Sequence, residues 1–176
     1  MTVRTIVTYP DQRLFKPSAI VDVFDDDLRA VAQDLFETMR NASGVGITAP
    51  HIGVFKRIVV LSLPDASSQG QAQVPDSEYQ VYINPEIADT SPHTVQFEEG
   101  SISMPGVVEK IVRSERVTIR YMDLNGTPQT EEADGFRAVC HQHEIDQLNG
   151  VFWTEKLSRL KRERVVTRFV KLRRGT

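Results

Sequence analysis

The run His141-Gln142-His143-Glu144-Ile145-Asp146-Gln147-Leu148 constrains this chain more than any other segment. It closes a stretch, 133–148, that reads as a long helix. Phe136, Val139, Cys140, His143 and Leu148 fall along one side of it, and Asn149-Gly150 supplies a C-terminal stop. With His at position 147 the run would hold H-E-x-x-H, in which two His one turn apart grip an ion and Glu acts on the water bound to it. Gln147 stands there instead.

The remaining elements can be placed around that helix. Asp25, Asp26 and Asp27 open a helix over 24–39, where acids suit the positive end of the helix dipole. Leu28, Val31, Ala32, Leu35, Phe36 and Met39 follow at helical spacing. Strands are expected over 57–63, 79–84 and 94–97, with a further pair at 107–112 and 116–122. Asp123-Leu124-Asn125-Gly126 is a hairpin turn signal. Residues 64–78, rich in Ser, Gln, Asp and Pro, read as a surface loop. A third helix is expected over 155–172, with Leu157, Leu160, Val165, Phe169 and Leu172 inward. Short strands with segregated helices imply an α+β fold, and 176 residues suit one domain, 1–176.

The net charge of −3 gives no general pull toward nucleic acid. The charge is uneven, however. Residues 156–174 hold nine Lys or Arg and one acid, Glu163, a cationic tail that fits a solvated helix face or an anionic partner. Cys140 is the only cysteine, so no intrachain disulfide can form, in keeping with a reducing compartment. The residues from Met1 onward lack the apolar core of a signal peptide, and no apolar run approaches the roughly 18 residues of a membrane span. The expectation is a cytoplasmic protein with no membrane association.

Three segments converge on one reading: Gly44-Val45-Gly46-Ile47-Thr48-Ala49-Pro50-His51, Glu99-Gly100-Ser101-Ile102-Ser103 and the His141–Gly150 run. In this order and spacing the chain resembles the peptide deformylases, which remove the formyl group from N-terminal formyl-methionine. Their motifs read G-φ-G-φ-A-A-P-Q (φ apolar), E-G-C-L-S and Q-H-E-x-D-H. Tyr9–Leu14, Ile83-Asn84-Pro85 and Arg113 also fall where that family places such residues. The resemblance covers nearly the whole chain. It implies the deformylase fold: short mixed or antiparallel sheets around a central helix carrying His143 and Glu144, plus a C-terminal helix.

It also implies a site. The family holds a divalent metal (Fe, Zn or Ni) with one Cys and two His. His143 matches the first His, while Ser101 and Gln147 occupy the other two ligand positions. Glu144 matches the general acid/base. The backbone N–H of Ile102 matches the donor to the oxyanion. His51 replaces the Gln that binds the formyl oxygen. Val45, Phe136, Val139, Cys140 and His143 would line the methionine pocket, and Gly44, Val45, Gly46 and Ile47 would pair with the substrate backbone. By the same resemblance, peptide N-termini are the expected ligands and the ribosome a partner for the basic C-terminal helix.

Replacing thiolate and imidazole by a neutral hydroxyl and an amide weakens any metal site. The expectation is therefore a deformylase relative that is inactive or very weak. The alternative is an active hydrolase whose site is rebuilt from His51 and His143. A third route is nucleophilic: Ser101 activated by His143 or His51, with Glu144 orienting the base. Cys140 reads as a small buried hydrophobe, Asp146 as a salt-bridge partner that orients a neighbour, and His141 as facing away from the site.

Overall fold

The computed structural model describes residues 2–63 and 79–175, so the expected loop over 64–78 lies outside the described residues. The helices are α1 (Asp26–Asn41), α2 (Gly135–Leu148) and α3 (Arg159–Arg174). The strands are β1 (Gly46–Thr48), β2 (Ile58–Leu61), β3 (Gln80–Thr90), β4 (Thr94–Ser101), β5 (Met104–Ser114), β6 (Arg116–Met122) and β7 (Pro128–Asp134). Five strands form an antiparallel sheet in the order β1-β2-β3-β6-β7, while β4 and β5 form a separate antiparallel hairpin. This is the expected α+β architecture, with every pairing between named strands antiparallel.

α1 forms where the acids and the apolar period place it. Asp25 caps it by accepting from the Leu28 N–H at 3.0 Å, and Leu28, Ala32, Leu35, Phe36 and Met39 are buried against β1 and β2. β3 outruns its expected length. Pro85 looks like a terminator, but a register shift between Ile83 and Glu86 absorbs it, and pairing with β6 continues to Thr90.

β7 is a correction. The segment Pro128-Gln-Thr-Glu-Glu-Ala-Asp134 has little strand propensity, and 133–134 were expected to be helical. It is an edge strand because the 123–126 turn aligns it with β6, from Met122↔Pro128 to Arg116↔Asp134. The C-terminal helix is a second correction. It begins at Arg159, after a 3-10 turn over Trp153–Lys156, and buries Val165 and Phe169. Leu157 is buried ahead of the helix, whereas Leu160 and Leu172 are exposed. Leu160 lies five residues before Val165, roughly 140° round the helix from it.

α2 sits between the sheet and the hairpin, and nine of its fourteen residues are buried, several of them polar. Gln142 fastens it to the end of β5. Its amide nitrogen donates to the Ser114 carbonyl at 2.9 Å and its oxygen accepts from the Ser114 N–H at 3.1 Å. The N-terminal segment wraps the far end of the helix, where the Ser18 N–H donates to the Leu148 carbonyl at 2.8 Å. No helix of the described residues is long and apolar enough to cross a membrane.

Candidate active site

A cavity of about 390 Å³ opens between α2, the approach to β1 and the β4–β5 turn. Val139, Cys140, Val107 and Met104 contribute apolar wall, and Phe136, Val45 and Val108 stand half-exposed at its lip. Gly44, Gly46, His51, Ser101, Ile102, His143 and Glu144 line it as well. Two expected residues do not. Ile47 points into the core beneath α1, so only its backbone remains at the sheet edge. Gln147 is turned away: its amide nitrogen donates to the Leu14 carbonyl at 2.7 Å, and the side chain is buried.

Glu144 and Gly46 are matched by contact. A Cβ at position 46 would stand 2.5 Å from Oε1 of Glu144 and 2.9 Å from Cδ2 of Leu61, so only glycine lets this carboxyl lie against β1. The other oxygen of Glu144, Oε2, is buried with no hydrogen-bond partner among the described residues. Burial pushes the Glu144 carboxyl up to about 7, with His143 pulling it back and Glu99 adding to the rise. Such a group can hold or release a proton near neutrality.

His143 is held by its neighbour. Its Nδ1 lies 2.8 Å from Oε2 of Glu99. Glu99 in turn takes a two-pronged ion pair from Arg113, at 2.8 and 2.9 Å, and Arg113 also reaches Asp146 at 2.5 Å. Asp146 therefore orients Arg113, with Lys156 at 3.4 Å on its outer side. Burial alone would raise Glu99, but the Arg113 and His143 hydrogen bonds outweigh it and hold this carboxylate at about 2. Burial likewise lowers His143, yet the Glu99 hydrogen bond and the charges of Glu144 and Glu99 leave its pKa raised. An ionised Glu99 fixes the proton of neutral His143 on Nδ1, so Nε2 is the nitrogen left for the cavity.

His51 has the opposite tautomer. Its Nδ1 accepts from the Thr48 N–H at 3.0 Å and lies 2.8 Å from the Thr48 hydroxyl. A nitrogen that accepts carries no proton, so the proton of the neutral ring is on Nε2. That N–H is buried without a partner among the described residues. Burial, helped by His143, pushes His51 down to about 3, so the ring stays neutral. It offers a donor to the cavity, not a base.

Ser101 ends β4. Its Oγ accepts from the Ser103 N–H at 3.1 Å, which leaves its own hydrogen free. Cys140 is buried, and burial followed by Glu144 pushes its thiol well above the usual range, so it is not a nucleophile near neutrality. His141 lies outside the cavity and meets Glu131 at 3.2 Å. Sequence reasoning assigned Glu99 no role. Its signal was available: an acid and a base, Glu99 and Arg113, fall on the faces of adjoining strands that also carry Phe97, Val107 and Ile111. Among the described residues, no three His, Cys, Asp or Glu side chains come together as a metal-binding group.

The chain matches the family model for polypeptide deformylase over residues 3–163. A Brucella melitensis protein named peptide deformylase-like is 53% identical, over 99% of this chain and the whole of that protein. A Chromobacterium violaceum peptide deformylase is 40% identical over 97% of this chain and 96% of its own length. The structure of an Ehrlichia chaffeensis peptide deformylase in complex with actinonin superposes with a TM-score of 0.87, at 38% identity and with full coverage of both chains. A backbone this similar, at these identities and coverages, leaves one assignment. The chain belongs to the peptide deformylase family.

Proposed function

We propose that the protein keeps the family's groove for a methionyl peptide N-terminus but carries out metal-dependent deformylation very weakly or not at all. The observation that carries this reading is Gln147, whose amide nitrogen is spent on the Leu14 carbonyl. A neutral serine hydroxyl and a turned-away amide do not replace a thiolate and an imidazole. Of the three ligand positions, His143 alone keeps a family donor. The donor set therefore does not fit Fe, Zn or Ni held in the family's manner. His51 supports the same reading, because a ring with its proton on Nε2 presents a donor where a rebuilt metal site needs a lone pair.

The groove itself is retained. An apolar cavity wall suits the methionine side chain, and the unpaired His51 N–H suits the oxygen of an acyl group. The exposed cations of α3, Arg159, Arg164, Arg168 and Lys171 among them, support docking to an anionic partner such as the ribosome. Metal analysis of protein purified without chelator, alongside formyl-methionyl peptide turnover, tests the reading. We expect metal well below one per chain and metal-dependent turnover near background. The double variant Ser101→Cys, Gln147→His should gain both. One tightly held ion per wild-type chain, with turnover that Glu144→Ala abolishes, would overturn it.

A further inference from the structure

We propose that Ser101, His143 and Glu99 form a serine-nucleophile triad that transfers small acyl groups without a metal. This rests on the metal-poor reading above, since an ion on His143 would occupy the nitrogen the triad needs. Three observations support it. Glu99 binds Nδ1 of His143 at 2.8 Å and is itself locked by Arg113, which is how a buried carboxylate orients an imidazole base. The orienting acid is thus Glu99, not Glu144. His51 cannot be the base, because its Nδ1 accepts from the Thr48 N–H; His143 is the imidazole with Nε2 left to accept. Ser101 lines the same cavity, with its hydroxyl hydrogen uncommitted.

The surroundings complete the set. The N–H of His51, without a partner among the described residues, is the donor the cavity offers to a developing oxyanion. Ser101 and His143 share no hydrogen bond in this structure; such bonds commonly tighten only once substrate is bound. Gly44 and Gly46 keep this side of the cavity open, since a Cβ on Gly44 would meet Ile102 at 3.0 Å and one on Gly46 would meet Glu144 at 2.5 Å. Formyl and acetyl are the smallest acyl groups the triad would transfer.

In the reaction, Oγ of Ser101 bonds to the acyl carbon while its proton passes to Nε2 of His143. The bond from that carbon to the leaving oxygen or nitrogen then breaks, and the leaving group takes the proton from His143. Water, deprotonated by the same nitrogen, attacks the Ser101 ester. The acid, formate or acetate, departs and the hydroxyl is restored.

The test is a fluorophosphonate probe added to full-length protein after chelator treatment, with the adduct located by peptide mass spectrometry. One adduct per chain on Ser101 is expected. Ser101→Ala should remove it, and His143→Gln should slow labelling by about 10²-fold, the usual scale of general-base help. Thermal melts of each variant confirm that it is folded. The absence of a Ser101 adduct on folded wild-type protein overturns the triad, as does labelling that appears only after zinc or nickel is restored. Metal analysis reports separately on the reading beneath it: a tightly bound ion before chelation defeats that reading whatever the probe does afterwards.

Discussion

His141 and His143 are two residues apart on α2 and face opposite sides of it, and their surroundings differ in kind. On the His141 side every polar atom named has a partner. Glu131 meets His141 at 3.2 Å, Arg137 at 2.5 Å and the Tyr82 hydroxyl at 2.8 Å, and Arg137 also reaches Gln80 and Tyr82 at 2.8 Å each. On the His143 side, Oε2 of Glu144 and Nε2 of His51 are buried with no partner among the described residues. Both regions remove charge from water. The first recovers the cost through a closed network, and the second leaves part of it outstanding, toward a cavity. A buried polar cluster is thus read as scaffold or site by its unpaired atoms, not by its composition.

Glu131→Leu strands Arg137, His141 and Tyr82, and should cost about 3 kcal/mol in urea unfolding while leaving the proposed binding of methionyl peptides in the cavity unchanged. A variant of unchanged stability would mean that the network is not structural. Gly46→Ala forces a Cβ onto Glu144 and Leu61. It should cost about 1–3 kcal/mol and, unlike Glu131→Leu, also weaken peptide binding measured by calorimetry.

Gln147→Ala leaves the Leu14 carbonyl without its donor. A loss of about 1–2 kcal/mol is expected, read from the urea midpoint, with no change in metal content. Glu144→Met should do the reverse of Glu131→Leu and stabilise by about 1 kcal/mol, because it removes an unsatisfied carboxyl from the interior. Destabilisation there would show that Glu144 has a partner this structure does not reveal.

The smallest effect is in the acid dependence. Burial alone would raise Glu131, but His141, Arg137 and Tyr82 hold it down at about 2, against an ordinary 4.5. Its folded pKa is depressed, so its stabilisation is complete above about 4.5 and is lost as pH falls from there through 2. In thermal melts over that window, Glu131→Gln should show a shallower decline than wild type.

Much of this was legible in the residues. The acids before α1, the apolar period behind them and the turn at 123–126 each act within a few residues, and sequence reports local effects well. The three glycine- and histidine-bearing segments were legible as a set because their order and spacing resemble a known family. β7 was not legible, since seven residues of poor strand propensity become a strand only by pairing with β6. Leu160 and Leu172 misled for a related reason: their burial depends on where α3 starts and on what it packs against.

The sequence by itself determined that a helix would carry His143 and Glu144 and that Gln147 would stand one turn beyond. Residue identity and helical spacing suffice for that. Tertiary structure alone decided the state of each group. It turned Gln147 toward Leu14, placed the proton of His51 on Nε2 and gave His143 to Glu99, because a hydrogen bond depends on which distant atom arrives within about 3 Å and from what direction.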